Sequence, residues 1–286
     1  MVKFFGVKDS TLKFACLLFW GLTCSVQAEQ PEIKSELIFK TSEAPAIQPV
    51  SQPSRVLFVG NSFSFYNNGI HNHLGSLIRS SGKWKNKKNK LRLSTLSGGH
   101  IHEHLVDIGQ QLNNQSNKWQ AMVLQGHSNE AIRANKRQRF IKATKLAVQQ
   151  IKAKSVQPIL FMTWGYKGQP KMSKEIADAY TKLANELEVL VVPVGLAFAQ
   201  AEVFLPQIEL FVPDVLGINK SQQITYRKDW KHPSVAGTYL AACVFYSALY
   251  NRSPVGLEFT GQLDRKTALA LQTLSWQVTQ QFYSKD

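Results

Sequence analysis

A serine, a histidine and an aspartate stand in this chain where local pattern would expose them for chemistry. Ser62 closes the stretch Arg55-Val-Leu-Phe-Val-Gly-Asn-Ser62. Residues 56–59 form a short β-branched and aromatic run, as a buried parallel strand does, and Gly60-Asn61-Ser62 ends it. In open α/β sheets ligands bind beyond the carboxyl ends of the strands. A serine at that point either caps the next helix or presents its hydroxyl as a nucleophile. Far downstream, Asp229-Trp-Lys-His232 sets a carboxylate and an imidazole three apart, just ahead of a helical pattern. That spacing lets Asp229 orient His232 while His232 takes the proton of a serine. Asp-x-x-His alone carries little weight; it gains force from Ser62. Such a serine also needs N–H donors for the negative charge that develops on an attacked carbonyl.

The elements that must position these groups can be read from periodicity. Strand-like runs at 56–59, 91–96, 121–124, 158–163 and 189–194 alternate with helical patterns at 70–81, 100–112, 135–153 and 173–188, and with another after Gly195. This alternation predicts a parallel sheet of about five strands with helices on both faces, a three-layer α/β/α sandwich. His232-Pro233 is expected to open a helix to residue 250, with Ala236, Tyr239, Leu240, Cys243, Val244 and Leu249 as its apolar face. Residues 263–282 read as a last surface helix, polar on one side through Gln272, Gln277, Thr279 and Gln280. There is no internal repeat.

The first 28 residues have lysines, then an apolar run over 14–24, then Val26-Gln27-Ala28, and read as a secretory signal peptide. The run is too short to span a bilayer, and no later segment would do so; no membrane span is expected. Cys24 lacks the flanking residues of a lipid-anchored cysteine. Export to a periplasm or the medium follows, and Cys243 is then the one cysteine left, so no internal disulfide can form. Residues 29–54, with Pro31, Pro45, Pro49 and Pro53, read as a tether to a single domain at 55–286. The formal charge is +15, and it stays strongly positive once Lys3, Lys8, Lys13 and Asp9 are removed. Such a surface favours an anionic polymer as a partner. The lysine cluster at 83–90 reads as a solvated loop.

The blocks together resemble the SGNH hydrolase superfamily, also called GDSL-like esterases and lipases. Gly60-Asn61-Ser62 is similar to the nucleophile block, Asp229-Trp-Lys-His232-Pro-Ser to the Asp-x-x-His block, and Ala236-Gly237-Thr-Tyr-Leu to the helix start that follows. The resemblance covers roughly 55–256 and implies a flavodoxin-like sheet, a Ser62-His232-Asp229 triad and no cofactor. It further implies an oxyanion hole from the N–H groups of Ser62 and a glycine after the second strand. Gly98 fits that role, with Gly99 beside it. Where many members carry Gly-x-Asn-Asp, this chain has Leu124-Gln-Gly-His-Ser-Asn-Glu130, with Ser128 in the place of the asparagine. The stretch resembles the Gln-Gly-Glu-Ser-Asn form of acetylesterase-like branches. On that likeness Gln125 is the expected third oxyanion donor, with Asn129 as the alternative.

Asn61, and Trp164 and Tyr166 at the end of the fourth strand, are expected to bind substrate, though aromatics there serve equally as core. His100, His102 and His104, with His71 and His73, suggest a metal; lining of the cleft accounts for them better, and none is expected. The function that follows is an exported serine esterase acting on small, chiefly acetyl, esters of carbohydrates. A lipase or lysophospholipase, an O-acyltransferase and a non-catalytic polysaccharide- or polyanion-binding module are the alternatives. Nucleic acid has only net charge in its favour and is not expected as a specific partner.

Overall fold

The computed structural model describes Met1, residues 36–49 and residues 52–284, and the described residues from 36 onward belong to one compact unit. The predicted signal peptide, apart from Met1, lies outside the described residues. Five strands, β1 (Arg55–Gly60), β2 (Lys90–Thr95), β3 (Ala121–Leu124), β4 (Gln157–Phe161) and β5 (Leu190–Val192), make a sheet in the order β2-β1-β3-β4-β5. Every pairing is parallel. β1 and β3 are buried along almost all their length, which is why both read as unbroken apolar runs. From β1 the chain turns to β2 on one side, then crosses back to β3 on the other. The carboxyl ends of β1 and β3 therefore flank the crevice where such sheets bind ligands.

Helices α1 (Ser62–Phe65) and α2 (Ile70–Ser80) follow β1; a 3-10 turn (Ile101–His104) and α3 (Leu105–Asn113) follow β2; α4 (Ala134–Lys152) and α5 (Pro170–Leu187) follow β3 and β4. After β5 come α6 (Val194–Phe204), then α7 (Val235–Tyr250) and α8 (Arg265–Tyr283). α3 packs on α4 and α4 on α5, while α7 packs against α2, α6 and α8, giving the three layers expected. Phe245 of α7 meets Phe58 of β1 and Phe161 of β4 edge-on, with ring centroids 5.1 and 5.0 Å apart, seating α7 under the middle of the sheet.

Four expectations need correction. α7 is buried on every side, not along one face, because α8 covers what would have been its polar flank. Its N-cap is Ser234, whose Oγ accepts the Gly237 N–H at 3.2 Å, while His232-Pro233 belongs to a strand pair. In α8, Gln272 is buried: its amide donates to the Tyr239 hydroxyl at 2.7 Å and the Leu257 carbonyl at 3.0 Å. The described part of the supposed tether, 36–49, is fastened to the domain. Ile38 N–H donates to Gln200, Ser42 N–H to Asp178 and Ala46 N–H to Asn185, and Leu37, Phe39 and Ile47 pack on the core.

Between α6 and α7 the chain forms two small antiparallel pairs. β6 (Phe211–Val212) pairs with β9 (His232–Pro233), and between them β7 (Val215–Ile218) and β8 (Ile224–Tyr226) form a projecting hairpin.

Burial lowers the pKa of His71, at the start of α2, to about 4, with the nearby charge of Arg92 adding to the effect. The unfolded chain therefore binds a proton at His71 between about pH 6.5 and 4 that the folded chain does not. The thermal midpoint is expected to fall as pH is lowered through that window. His71→Asn should remove about one proton from the uptake on unfolding, measured by calorimetry across the same range.

Candidate active site

Two buried amides fix the backbone around Ser62. Asn61 caps α1, its Oδ1 accepting the Phe63 N–H at 3.2 Å, and its Nδ2 donates to the carbonyls of Gly99 at 2.9 Å and Gly126 at 3.4 Å. Gln125 accepts at Oε1 from the Asn61 N–H at 3.0 Å and from the Ser64 hydroxyl at 2.8 Å. Its Nε2 donates to Asn61 Oδ1 and the Gly126 carbonyl, both at 2.7 Å. The ends of β1, β2 and β3 are thus tied by two side chains that are themselves buried. Gly60 is required by this approach: a Cβ there would lie 2.4 Å from Gln125 Oε1.

Both amides depart from their expected roles. Gln125 has both amide protons committed inside the protein and does not line the cavity, so it has none to offer an oxyanion. Asn61 does touch the cavity, but its side-chain bonds all run to the protein.

His232 lies beside Ser62, with Nε2 2.8 Å from Oγ. Its carboxylate partner is not Asp229. Nδ1 is bonded to Asp214 Oδ1, at the end of the segment that follows β6. The pairing of β6 with β9 sets Val212 opposite His232, so the chain just past Val212 reaches the ring. Asp229 turns outward to Lys231, at 3.3 Å, with 40% of its side chain exposed. Lys231 Nζ also lies 3.7 Å from Asp214 Oδ2. No spacing rule favours Asp214 over Asp229; the one cue is an acid after a short apolar pair, Phe211-Val212, upstream of the histidine block.

Aromatic side chains hold the imidazole from both sides. Tyr66 stacks flat on it, with centroids 4.4 Å apart and planes at 2°, and Phe63 meets it edge-on at 5.9 Å. Burial, with the negative charge of Asp214, raises the Tyr66 phenol above its usual range, so it stays neutral. Trp164 is fully buried, sandwiched between Phe63 and Phe198 at 4.4 and 4.1 Å, and its indole N–H donates to the Lys231 carbonyl at 2.9 Å. It braces the backbone beside His232 and does not reach the cavity, contrary to the expected binding role. Tyr166 is also set back: its hydroxyl lies 3.0 Å from Ser128 Oγ and receives the Asn129 amide at 3.3 Å.

The cavity above Ser62 holds about 440 Å³ and is walled by Ser62, Ser97, Gly98, His127, Ser128, Arg227, Lys231 and the rings of Phe65 and Tyr66 among others. Gly98, at φ 65°, lines it, whereas the Gly99 N–H is taken by the Leu96 carbonyl at 2.9 Å and its own carbonyl by Asn61. The structure thus separates the two glycines. Neither Ser62 nor Gly98 has an internal acceptor for its N–H among the described residues. Asn129 does not reach the cavity; Ser128, the neighbour that stands in the motif's asparagine position, does.

His127 forms another wall, stacked on His100 at 4.6 Å, and burial lowers its pKa to about 4, with His100, Lys136 and Lys231 acting in the same sense. His100 is held in turn by Glu130, a buried carboxylate that also accepts the His127 N–H at 2.8 Å. His73 is occupied elsewhere, with Nε2 on the Asn67 carbonyl at 2.9 Å. Among the described residues no group of three His, Cys, Asp or Glu side chains is placed to hold a metal.

No family model matches this sequence, and no curated protein matches it. Solved structures do. A protein from Slackia heliotrinireducens described as an SGNH hydrolase is 22% identical over 68% of this chain and 98% of its own, with a TM-score of 0.50. A DUF4886 family protein from Bacteroides uniformis is 18% identical over 78% of this chain and 93% of its own, at 0.56. An acetyl xylan esterase is 14% identical over 68% of this chain and 99% of its own, at 0.50. The fold is that of the SGNH hydrolases.

Gln125→Ala should act on stability, since it strands the buried Asn61 N–H and Ser64 hydroxyl and opens a void. A loss of about 2–4 kcal/mol in urea unfolding is expected. An unchanged unfolding midpoint would overturn the bracing role.

Proposed function

We propose that this chain is an exported serine esterase that removes small acyl groups, acetyl foremost, from carbohydrate esters. The observation that carries the reading is the continuous hydrogen-bonded line from Ser62 Oγ through His232 to Asp214 at the mouth of a cavity. His232 Nε2 takes the Ser62 proton as Oγ bonds to the ester carbonyl carbon. The carbonyl electron pair moves onto oxygen, where the N–H groups of Ser62 and Gly98 receive it. Collapse breaks the bond to the alcohol, which leaves with the proton from His232. Water then gives a proton to His232 and attacks the acyl carbon, and Ser62 departs reprotonated. Asp214 holds the imidazole in the tautomer with its proton on Nδ1 and stabilises the cation that forms.

The third oxyanion donor in this reading is Ser128. The Asn129 amide donates to the Tyr166 hydroxyl, which leaves the Tyr166 proton for Ser128 Oγ; the Ser128 proton then has only the distant His127 Nδ1, at 3.5 Å, to compete with an oxyanion in the cavity. Asn129 and Tyr166 thus act through Ser128. The small cavity with polar walls suits a short acyl group on a polar alcohol, and Arg227 and Lys231 favour an anionic carrier.

Hydrolysis of p-nitrophenyl acetate, butyrate and octanoate tests this reading. Acetate should be preferred, and turnover should vanish in Ser62→Ala and His232→Ala. Octanoate preference would favour a lipase, and no turnover above the variants would remove the esterase reading. On the same assay Asp214→Asn should lower kcat by several orders of magnitude, while Asp229→Asn stays within about twofold. Ser128→Ala should cost on the order of a hundredfold in kcat with little change in KM. Because His127 is neutral above about pH 4, His127→Gln should leave the acid limb of the pH profile where it is.

A further inference from the structure

Ten large apolar residues are exposed among the described residues, and five of them, Val215, Leu216, Ile218, Ile224 and Tyr226, lie on the β7–β8 hairpin. Scattered exposed apolar residues need no explanation, but a cluster does. The pairing sets Val215 opposite Tyr226 and Ile218 opposite Ile224, whereas Gly217 is opposite Thr225. Cross-strand partners share a face, so four of the apolar side chains stand on one side of the ribbon. A register irregularity between Val215 and Gly217 takes up Leu216, which is also exposed. These five residues are 48–68% exposed, whereas Gly217 and Thr225 on the opposite face are half-buried.

Cations frame this apolar face. Lys220 sits in the turn, and Arg227 and Lys228 follow the second strand; no acidic residue lies between Asp214 and Asp229. The feet of the hairpin are joined, with the Arg227 N–H on the Asp214 carbonyl at 2.8 Å, and both residues border the cavity.

We propose that the β7–β8 hairpin docks the protein on an anionic lipid bilayer. Aliphatic and tyrosyl side chains enter the headgroup–acyl boundary, and Lys220 and Lys228 meet the lipid phosphates, the arrangement by which amphipathic surface elements hold to charged membranes. A second copy of the chain is the poorer occupant, because a two-fold contact through this ribbon would bring its cations close to their own copies. An anionic polymer alone would leave the apolar face uncovered. Docking by the hairpin brings the cavity at its feet close to the membrane surface.

Co-sedimentation with vesicles of phosphatidylcholine containing about one-third phosphatidylglycerol, and with phosphatidylcholine alone, tests the proposal without reference to any catalytic activity. The purified protein should sediment with the anionic vesicles. Leu216→Ser combined with Ile218→Ser, which leaves the charge unaltered, should weaken that binding by roughly tenfold or more, given the apolar area lost. Lys220→Gln with Lys228→Gln should weaken it too and flatten its salt dependence. The substituted positions are exposed, so thermal midpoints should stay close to that of the parent protein; Ile224→Ser serves as a second apolar variant if the first pair does not fold. No binding to either vesicle would overturn the proposal. So would binding retained in the serine variants, which would assign it to the general basic surface. A dimer of the parent protein in sedimentation equilibrium that the same variants dissolve would overturn it in favour of a second copy.

Discussion

The hydrogen-bonded knot of Asn61 and Gln125 is the constraint on which the rest of the site depends. Each strand of a parallel sheet ends in backbone groups without a ladder partner, and at β1, β2 and β3 these are met by two buried amides. A buried polar network is stable only when every member is satisfied, and here four carbonyl or amide groups and the Ser64 hydroxyl close on one another. The turn that carries Ser62 is therefore fixed before any substrate arrives. The glycine at position 60 is the steric condition for it, since no side chain fits against Gln125.

Around that fixed serine the moving part of the chemistry is one imidazole, and it is restrained on every side. Ser62 and Asp214 hold its two nitrogens, and Tyr66 and Phe63 hold its plane. The restraint extends through the Phe63–Trp164–Phe198 stack to α6, and through the Trp164 indole to the Lys231 carbonyl. Aromatic residues that would serve as sugar platforms in an open cleft are used here as scaffolding. The cavity wall combines small polar residues, two cations and a neutral histidine with the aromatic side chains of Phe63, Phe65 and Tyr66.

The pair of half-buried His100 and buried Glu130 provides a second, smaller frame behind the opposite wall. Glu130 takes both the His100 ring and the His127 backbone, so the loop after β3 is ordered from within. This explains the concentration of histidines near the site without any metal ligand geometry. Ser128 is the residue of that loop that reaches the cavity with a hydroxyl, while the Asn129 side chain turns to Tyr166 and the His127 backbone N–H is held by Glu130.

The sequence by itself determined the alternation of strands and helices, the placing of Ser62 after the first strand and the presence of His232 ahead of a buried helix. Those features are local: apolar periodicity and turn residues act over a few positions, and the parallel sheet follows from them. Tertiary structure alone decided the carboxylate. His232 and Asp214 are eighteen residues apart and meet because β6 and β9 pair, with an exposed hairpin spun out between them. Asp229 is close in sequence, but its partly exposed carboxylate pairs with Lys231 and not with the imidazole. Gln125 followed the same logic. Its type and position were legible, but whether its amide faced the cavity or the core depended on Asn61, a neighbour across two strands. Helix burial was likewise decided at long range, as α8 closes over α7 and draws Gln272 inside. Contacts between segments distant in the chain leave no period in either one, and only the packed molecule can show them.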